Sequence, residues 1–306
     1  MRLNGVVVRV PGKVNLQLSV GPLQSDGFHE LVTVFQAISL FDDVTVKFGA
    51  VKSGIQLTAA GSTSHGIPLG ETNLAHRAAQ IMSERFQLTD DLEIHLKKEI
   101  PIAGGMAGGS ADAAGVIVAI DALCELGMSR AEMESVAALL GSDVPFSISG
   151  GIAVGRGRGD QITPVLASGN YHWVLAISGQ GLSTPAVYNE CDRLREGLDI
   201  ARPQSSESLL QALRAGDAPA LGKALTNDLQ TAACSLRPAL RLVLDVGLDY
   251  GALGGIVSGS GPTVAFLVSD EEKALDLTVA LSASGVVAGV LRVTGPTHGA
   301  RVIETL

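Results

Sequence analysis

Residues 101–112 read Pro101-Ile102-Ala103-Gly104-Gly105-Met106-Ala107-Gly108-Gly109-Ser110-Ala111-Asp112. They concentrate glycine in a loop that runs straight into an apolar segment. Backbone N–H groups in such a loop converge on an anion, and a helix that begins there adds the positive end of its dipole. Glycine lets a phosphate approach the main chain without meeting a Cβ. The expected ligand is the phosphate chain of a nucleotide; the plain alternative is a glycine-rich turn before a buried helix. Neither common phosphate loop is present. The Gly-Lys pairs, Gly12-Lys13 and Gly222-Lys223, are followed by Val14 and Ala224, and G-x-G-x-x-G does not occur.

Two charged residues complete a candidate reacting centre. Asp143 lies between Ser142 and Val144-Pro145 in an apolar neighbourhood. A carboxylate there can take the proton of a hydroxyl that attacks a γ-phosphate, or it is a turn or helix-end aspartate. Lys13 can lower the pKa of that hydroxyl and offset charge on the moving phosphoryl group, or it is an exposed strand lysine. Asp112, in the first turn of the helix after the loop, reads as structural.

These residues need strands and helices to position them. Residues 6–10, 16–20, 31–38, 44–48 and 92–98 carry strand patterns, the last alternating Leu92, Ile94 and Leu96 with polar residues. Residues 73–86 read as a helix with Thr72 as N-cap, and 111–126 as the helix after the loop, with Gly127 as its stop. Ser129 and Glu132 form a capping-box pattern opening a helix over 129–139. The glycines of 150–160 allow a bulged hairpin. Beyond Pro164, strand patterns over 173–177 and 289–293 alternate with helix patterns over 206–215, 219–225 and 238–245. A third glycine loop feeds a strand within 255–268. Alternation of this kind suggests an α+β sandwich, divided between residues 159 and 168.

Composition narrows the function classes. The chain has 306 residues, 46% hydrophobic and 4% aromatic, with 22 basic and 31 acidic residues and a net charge of −9. That balance disfavours nucleic acid as a partner. Cys124, Cys191 and Cys234 lack C-x-x-C spacing, which argues for a reducing compartment and against a disulfide frame. The scattered histidines suggest no metal site of protein nitrogen or sulfur. Residues 1–10 are strand-like without the marks of a signal peptide, and no apolar run is long enough for a membrane span. A cytoplasmic protein, monomeric or homodimeric, is expected.

Three segments stand in order: Pro11-Gly12-Lys13-Val14-Asn15-Leu16, the loop at 101–114, and Gly255-Ile256-Val257-Ser258-Gly259-Ser260-Gly261-Pro262-Thr263. Together they resemble the three signature motifs of the GHMP kinases, over residues 8–268. Asp26-Gly27-Phe28-His29-Glu30-Leu31, Phe35-Gln36, Gly141-Ser142-Asp143-Val144-Pro145-Phe146 and Ser183-Thr184-Pro185-Ala186-Val187-Tyr188 narrow the resemblance. They are similar to the members that phosphorylate the 2-hydroxyl of a cytidine diphosphate-linked methylerythritol in non-mevalonate isoprenoid precursor synthesis. The chain departs from the family at Ala107, where glycine is usual, at Ala111, where a hydroxyl is usual, and at Phe28, where tyrosine is frequent.

The resemblance implies a two-domain α+β fold. Residues 1–163 would form an ATP-binding domain like ribosomal protein S5 domain 2, and residues 164–306 a ferredoxin-like domain, with the site in the cleft between them. It implies ATP and Mg²⁺ at residues 101–111 and Asn73 near the adenine. Lys13 would lie at the reacting centre beside Asp143, in a direct in-line transfer. Phe28, His29 and Tyr188 would form a cytosine site with Thr184 nearby. Asn15 orients the acceptor polyol or closes a turn. Ser110 caps a helix or reaches phosphate or Mg²⁺. Gly259, Ser260 and Gly261 admit the substrate diphosphate or form a turn. Arg156 and Arg158 steer anions or form a solvated hairpin face. The rival readings are another GHMP kinase, acting on homoserine or phosphomevalonate, and a non-catalytic nucleotide or sugar sensor.

Overall fold

The computed structural model describes residues 3–89 and 91–306; Met1 and Arg2 of the expected N-terminal strand lie outside them. Two long antiparallel strands, β1 (Gly5–Leu23) and β2 (His29–Phe48), form its spine. The sequence predicted four short strands here. Register shifts at Pro11/Gly12 and between Asn15 and Gln17 absorb the breaks, so each pair of segments runs on as one strand. β3 (Ile55–Ala60), α1 (Leu74–Phe86) and β4 (Leu92–Lys97) follow, with β3 and β4 parallel. Asn73, not Thr72, is the N-cap of α1, its side chain accepting from the Ala75 N–H.

The phosphate-loop candidate leads into α2 (Gly108–Leu123), three residues earlier than the apolar run predicted. α2 packs its Ala-rich surface on β1 and β2. A Cβ at Gly115 would meet a Val44 methyl at 2.6 Å, so this glycine sets how closely helix and sheet approach. α3 (Arg130–Ala138) has the expected capping box from Ser129 and Glu132. A short α4 (Val144–Ser149) and the hairpin β5 (Ile152–Arg156) and β6 (Gln161–Pro164) complete the first half.

The second half contains β7 (Tyr171–Ile177), α5 (Thr184–Leu194), α6 (Glu207–Ala215), α7 (Ala218–Ala224), β8 (Thr226–Asn227), α8 (Gln230–Leu236) and α9 (Ala239–Asp249). β9 (Gly254–Val257), β10 (Val264–Val268), α10 (Glu271–Ser284), β11 (Gly289–Gly295) and β12 (Arg301–Thr305) follow. One sheet has the path β12-β1-β2-β4-β3, with β5 and β6 joined through β2 and β8 through β1; the other is the antiparallel order β11-β7-β10-β9. A division at 163/164 falls at the end of β6. Beyond it, β8 and β12 return to pair with β1, so the first sheet is completed from the second half. Trp173 Nε1 of β7 donates to Gln36 Oε1 of β2 at 2.7 Å, a buried tie between the sheets. No helix among the described residues is long and apolar enough to cross a membrane.

Candidate active site

Alternation along β1 sends Val14 and Leu16 into the core and Lys13 and Asn15 to the opposite face. The Lys13 backbone N–H donates to the Met106 carbonyl at 3.2 Å, which holds the strand against the glycine loop. Its ammonium donates to Asn15 Oδ1 at 2.6 Å and to the Gly105 carbonyl at 2.9 Å, and lies 3.6 Å from Asp143 Oδ2. The Gly105 carbonyl also accepts from the Ser258 hydroxyl at 3.0 Å. A Cβ on Gly259 would lie 3.3 Å from Lys13 Nζ. One lysine and one carbonyl thus join the three sequence segments, which are separated by 92 and 153 residues at these contacts. Gly105 has φ 75°, and a Cβ there would sit 2.0 Å from the Ser258 carbonyl oxygen.

Burial pushes the Lys13 ammonium down, while Asp143, through its charge and a hydrogen bond, pulls it back up. Asp143 caps α4 through its backbone only; its side chain makes no cap bond and keeps a third of its surface open. Asn15 is fixed in turn, its amide donating to Thr33 Oγ1 at 2.8 Å.

A cavity of about 920 Å³ opens over this centre. Pro101, Ile102, Ala103, Gly104, Gly105, Ala107, Gly108, Gly109 and Ser110 line one side. Met106 and Ala111 instead turn fully into the core. Ala107, the N-cap of α2, has φ 61° and ψ 30°, in the left-handed region that glycine occupies without strain. Ala107→Gly is therefore expected to raise stability by about 1 kcal/mol, measurable as an upward shift of the urea midpoint with an unchanged slope. Ser110 is the third residue of α2 and not its cap, which corrects the capping expectation. Asn73 lines the cavity, but its side chain is spent on the Ala75 N–H and the Pro68 carbonyl.

Asp112 lies on the cavity wall but is only 3% exposed. It pairs with Lys98 at 2.6 Å, and Lys98 also bonds to Asp42 and donates to the Gly108 carbonyl at 3.2 Å. Asp42 in turn accepts from the Glu99 and Ile100 N–H groups. The cluster so fastens both ends of the loop. Burial pushes the Asp112 carboxyl up to about 7, against the pull of Lys98 and with the push of Asp42. Because this folded value exceeds the unfolded one near 4, the folded chain holds the extra proton between about pH 4 and 7. Stability from this group is full below about pH 4 and is lost as pH rises through about 7. Relative to Asp112→Asn, the native chain should therefore lose stability from pH 4 to 7.5 in denaturation curves; a constant difference would refute the assignment.

Phe28, His29, Thr184 and Tyr188 line the other side of the cavity, with Gly259 and Ser260; Gly261 does not reach it. Tyr188 and His29 rings lie 5.3 Å apart, and Thr184 Oγ1 is 2.8 Å from Ser260 Oγ. Burial, with the nearby charges of Asp143 and Cys191, pushes the Tyr188 phenol well up. Arg158 stacks 3.6 Å over the half-exposed Phe28 ring and donates to Asp26, whereas Arg156 is exposed and off the cavity wall. Sequence reasoning missed Thr33, Lys98 and Asp192 on the cavity wall. Lys98 had a signal, since it closes the strand that feeds the loop; Asp192 had only its helical spacing from Tyr188.

Residues 73–151 match the family described as GHMP kinases N terminal domain, and residues 209–287 match GHMP kinases C terminal. The chain is 52% identical over 300 residues to a protein of Mycolicibacterium smegmatis named 4-diphosphocytidyl-2-C-methyl-D-erythritol kinase, covering 97% of this chain and 92% of that one. It is 50% identical to a protein of the same name from Streptomyces coelicolor, covering 98% and 99%. A crystal structure of 4-(cytidine 5'-diphospho)-2C-methyl-D-erythritol kinase superposes with a TM-score of 0.76 at 33% identity, covering 94% of this chain and 98% of that one. Homoserine kinase from Cytophaga hutchinsonii, at 20% identity and a TM-score of 0.77 over 98% of both chains, shares the fold. The chain belongs to the GHMP kinases, in the family of the 4-diphosphocytidyl-2-C-methyl-D-erythritol kinases.

Proposed function

We propose that the chain transfers the γ-phosphoryl group of ATP to the 2-hydroxyl of 4-diphosphocytidyl-2-C-methyl-D-erythritol, in the cytoplasm, as a step of non-mevalonate isoprenoid precursor synthesis. The observation that carries this reading is the Lys13–Asp143 pair at 3.6 Å, set between a glycine loop and the Phe28, His29 and Tyr188 wall of one cavity. The names of the full-length relatives support the acceptor.

In this reading the Gly104–Gly109 backbone and the start of α2 hold the ATP phosphates. Asp143 takes the hydroxyl proton as the oxygen attacks γ-phosphorus in line. Lys13 lowers the cost of charge on the attacking oxygen and the transferring group. Asn15 orients the polyol. The bond from γ-phosphorus to the bridging oxygen breaks, and ADP leaves. No protein nucleophile is needed. Phe28 and Tyr188 offer rings to the cytosine, with the Arg158 guanidinium stacked on the Phe28 ring at the cavity wall. Gly259 and Ser260 are close to the substrate diphosphate.

Among the described residues no group of three or more His, Cys, Asp or Glu side chains forms a metal cage. Mg²⁺ would arrive on the ATP phosphate oxygens and keep most of its waters. Ser110 would hold it beside the phosphates, where it neutralises their charge. Residues 1–163 would form the ATP-binding domain, and residues 164–306 the C-terminal domain, with Asn15, Phe28 and His29 of the first and Thr184 and Tyr188 of the second facing the acceptor.

The test is ADP release with Mg²⁺, ATP and a panel of acceptors. The expected result is release with the cytidylyl polyol and none with homoserine or phosphomevalonate. Release with either of the others alone would overturn the acceptor. Binding of ATP without turnover of any acceptor would favour a sensor.

A further inference from the structure

We propose that Thr33 is a positioning residue for phosphoryl transfer: its hydroxyl locks the Asn15 amide with the carbonyl oxygen toward Lys13. This rests on the function proposed above, in which Lys13 and Asn15 stand at the reacting centre. β1 and β2 build the arrangement. Asn15 pairs with Phe35 and Gln17 with Val34, so Leu16 is the extra residue of a bulge in β1. Bulges re-aim groups beside active sites. The Gln17 carbonyl, just past this bulge, accepts from the Thr33 hydroxyl at 2.8 Å. Thr33 and Phe35, two apart on β2, share the face that lines the cavity. The Phe35 ring centroid lies 5.6 Å from the Lys13 ammonium, and the Thr33 hydroxyl meets Asn15.

The direction of each bond follows from what its atoms can do. A backbone carbonyl only accepts, so the single hydroxyl proton of Thr33 goes to Gln17. The Thr33 oxygen is left to accept, and the Asn15 amide nitrogen donates to it at 2.8 Å. With its nitrogen held there, Asn15 presents Oδ1 to Lys13, whose ammonium donates to it at 2.6 Å. A flipped amide would set N–H groups against the ammonium and an oxygen against a hydroxyl whose proton is already given. The strand carbonyl thus fixes the hydroxyl, the hydroxyl the amide, and the amide the ammonium.

Thr33, Asn15 and Lys13 are all buried, so a lost partner is not made good by bulk water. An ammonium released by Asn15 keeps the Gly105 carbonyl and Asp143. It then draws closer to the carboxylate that takes the hydroxyl proton, and a carboxylate more tightly paired is a weaker base. The loss falls on the chemical step and not on ATP binding.

The test measures kcat and KM with ATP, Mg²⁺ and the cytidylyl acceptor for the native chain, Thr33→Val and Thr33→Ser. Valine keeps the shape of threonine and removes the hydroxyl; serine keeps the hydroxyl and removes the methyl. Thr33→Val is expected to lower kcat roughly 10- to 100-fold with KM for ATP unchanged, and Thr33→Ser to keep the native kcat. Asn15→Ala combined with Thr33→Val should be no slower than Asn15→Ala alone, because Thr33 acts through Asn15. Native kcat in Thr33→Val, or losses that multiply in the double variant, overturns the proposal. Equal impairment of Thr33→Ser and Thr33→Val also overturns it and leaves Thr33 a packing role. Should Thr33→Val fail to fold by circular dichroism, Thr33→Ser carries the test: native kcat supports the hydroxyl, and a fall in kcat overturns it. A native chain that turns over no cytidylyl acceptor brings down the proposed function and this inference with it, whereas native turnover with an unaffected Thr33→Val sinks this inference alone.

Discussion

Asp143→Asn is expected to lower kcat by about 10²- to 10⁴-fold, the range for loss of a positioned general base. The amide keeps the shape of the carboxylate but cannot take the hydroxyl proton. The fold should survive, because the Asp143 side chain makes no bond that caps α4. Lys13 also keeps Asn15 Oδ1 and the Gly105 carbonyl as partners. KM for ATP should change little, since the carboxylate lies across from the loop and not in it. Steady-state kinetics, with single-turnover measurement of the chemical step, check this. A variant with undiminished single-turnover rate would remove Asp143 as the base and leave positioning and electrostatics as the source of catalysis.

Lys98→Met is expected to cost about 3–5 kcal/mol of stability, the cost of leaving buried charge unpaired. Lys98 is 2% exposed and stands between Asp42 and Asp112, both buried. Without the ammonium, two carboxylates face each other in a low-dielectric interior. A double replacement, Lys98→Met with Asp112→Asn, should recover part of the loss, and a double-mutant cycle measures how much. Function should suffer as well. The cluster fastens Glu99 and Ile100 before the loop and Gly108 after it, so a loosened loop should raise KM for ATP. Guanidinium denaturation gives the first effect and initial rates the second. A loss below 1 kcal/mol would mean that water or rearrangement already relieves the buried charges.

Much of this site was legible from local pattern. The glycine loop, the strand before it and the helix after it follow from residue types within 92–126. The capping box at Ser129 needs only residues three apart. Their meeting is a different matter. The Gly105 carbonyl joins Lys13 and Ser258 because β1 and the β9–β10 loop pack against the same turn, and no local signal encodes that contact. Resemblance to a family supplied the expectation in its place. The Asp42–Lys98–Asp112 cluster was read only in part, as a structural Asp112, because its members come from β2, the end of β4 and α2. Asp192 was missed for the same reason, its partner His29 lying far off in sequence. β12 escaped because all five of its residues are exposed on a sheet edge, so no alternation marks it. Ala107 stood out in the sequence only as an alanine where glycine is usual; its left-handed backbone is visible only in the structure.

The most direct measurement follows the phosphoryl group itself. The protein is incubated with ATP, Mg²⁺ and 4-diphosphocytidyl-2-C-methyl-D-erythritol, and the product is examined by proton-coupled ³¹P NMR. Carbon 2 of the acceptor carries a methyl group and no hydrogen. A phosphate ester on its oxygen is expected as an uncoupled singlet, formed in equal amount with ADP. A phosphate signal split by carbinol protons, or ADP formed without any new ester, would contradict transfer to the 2-hydroxyl.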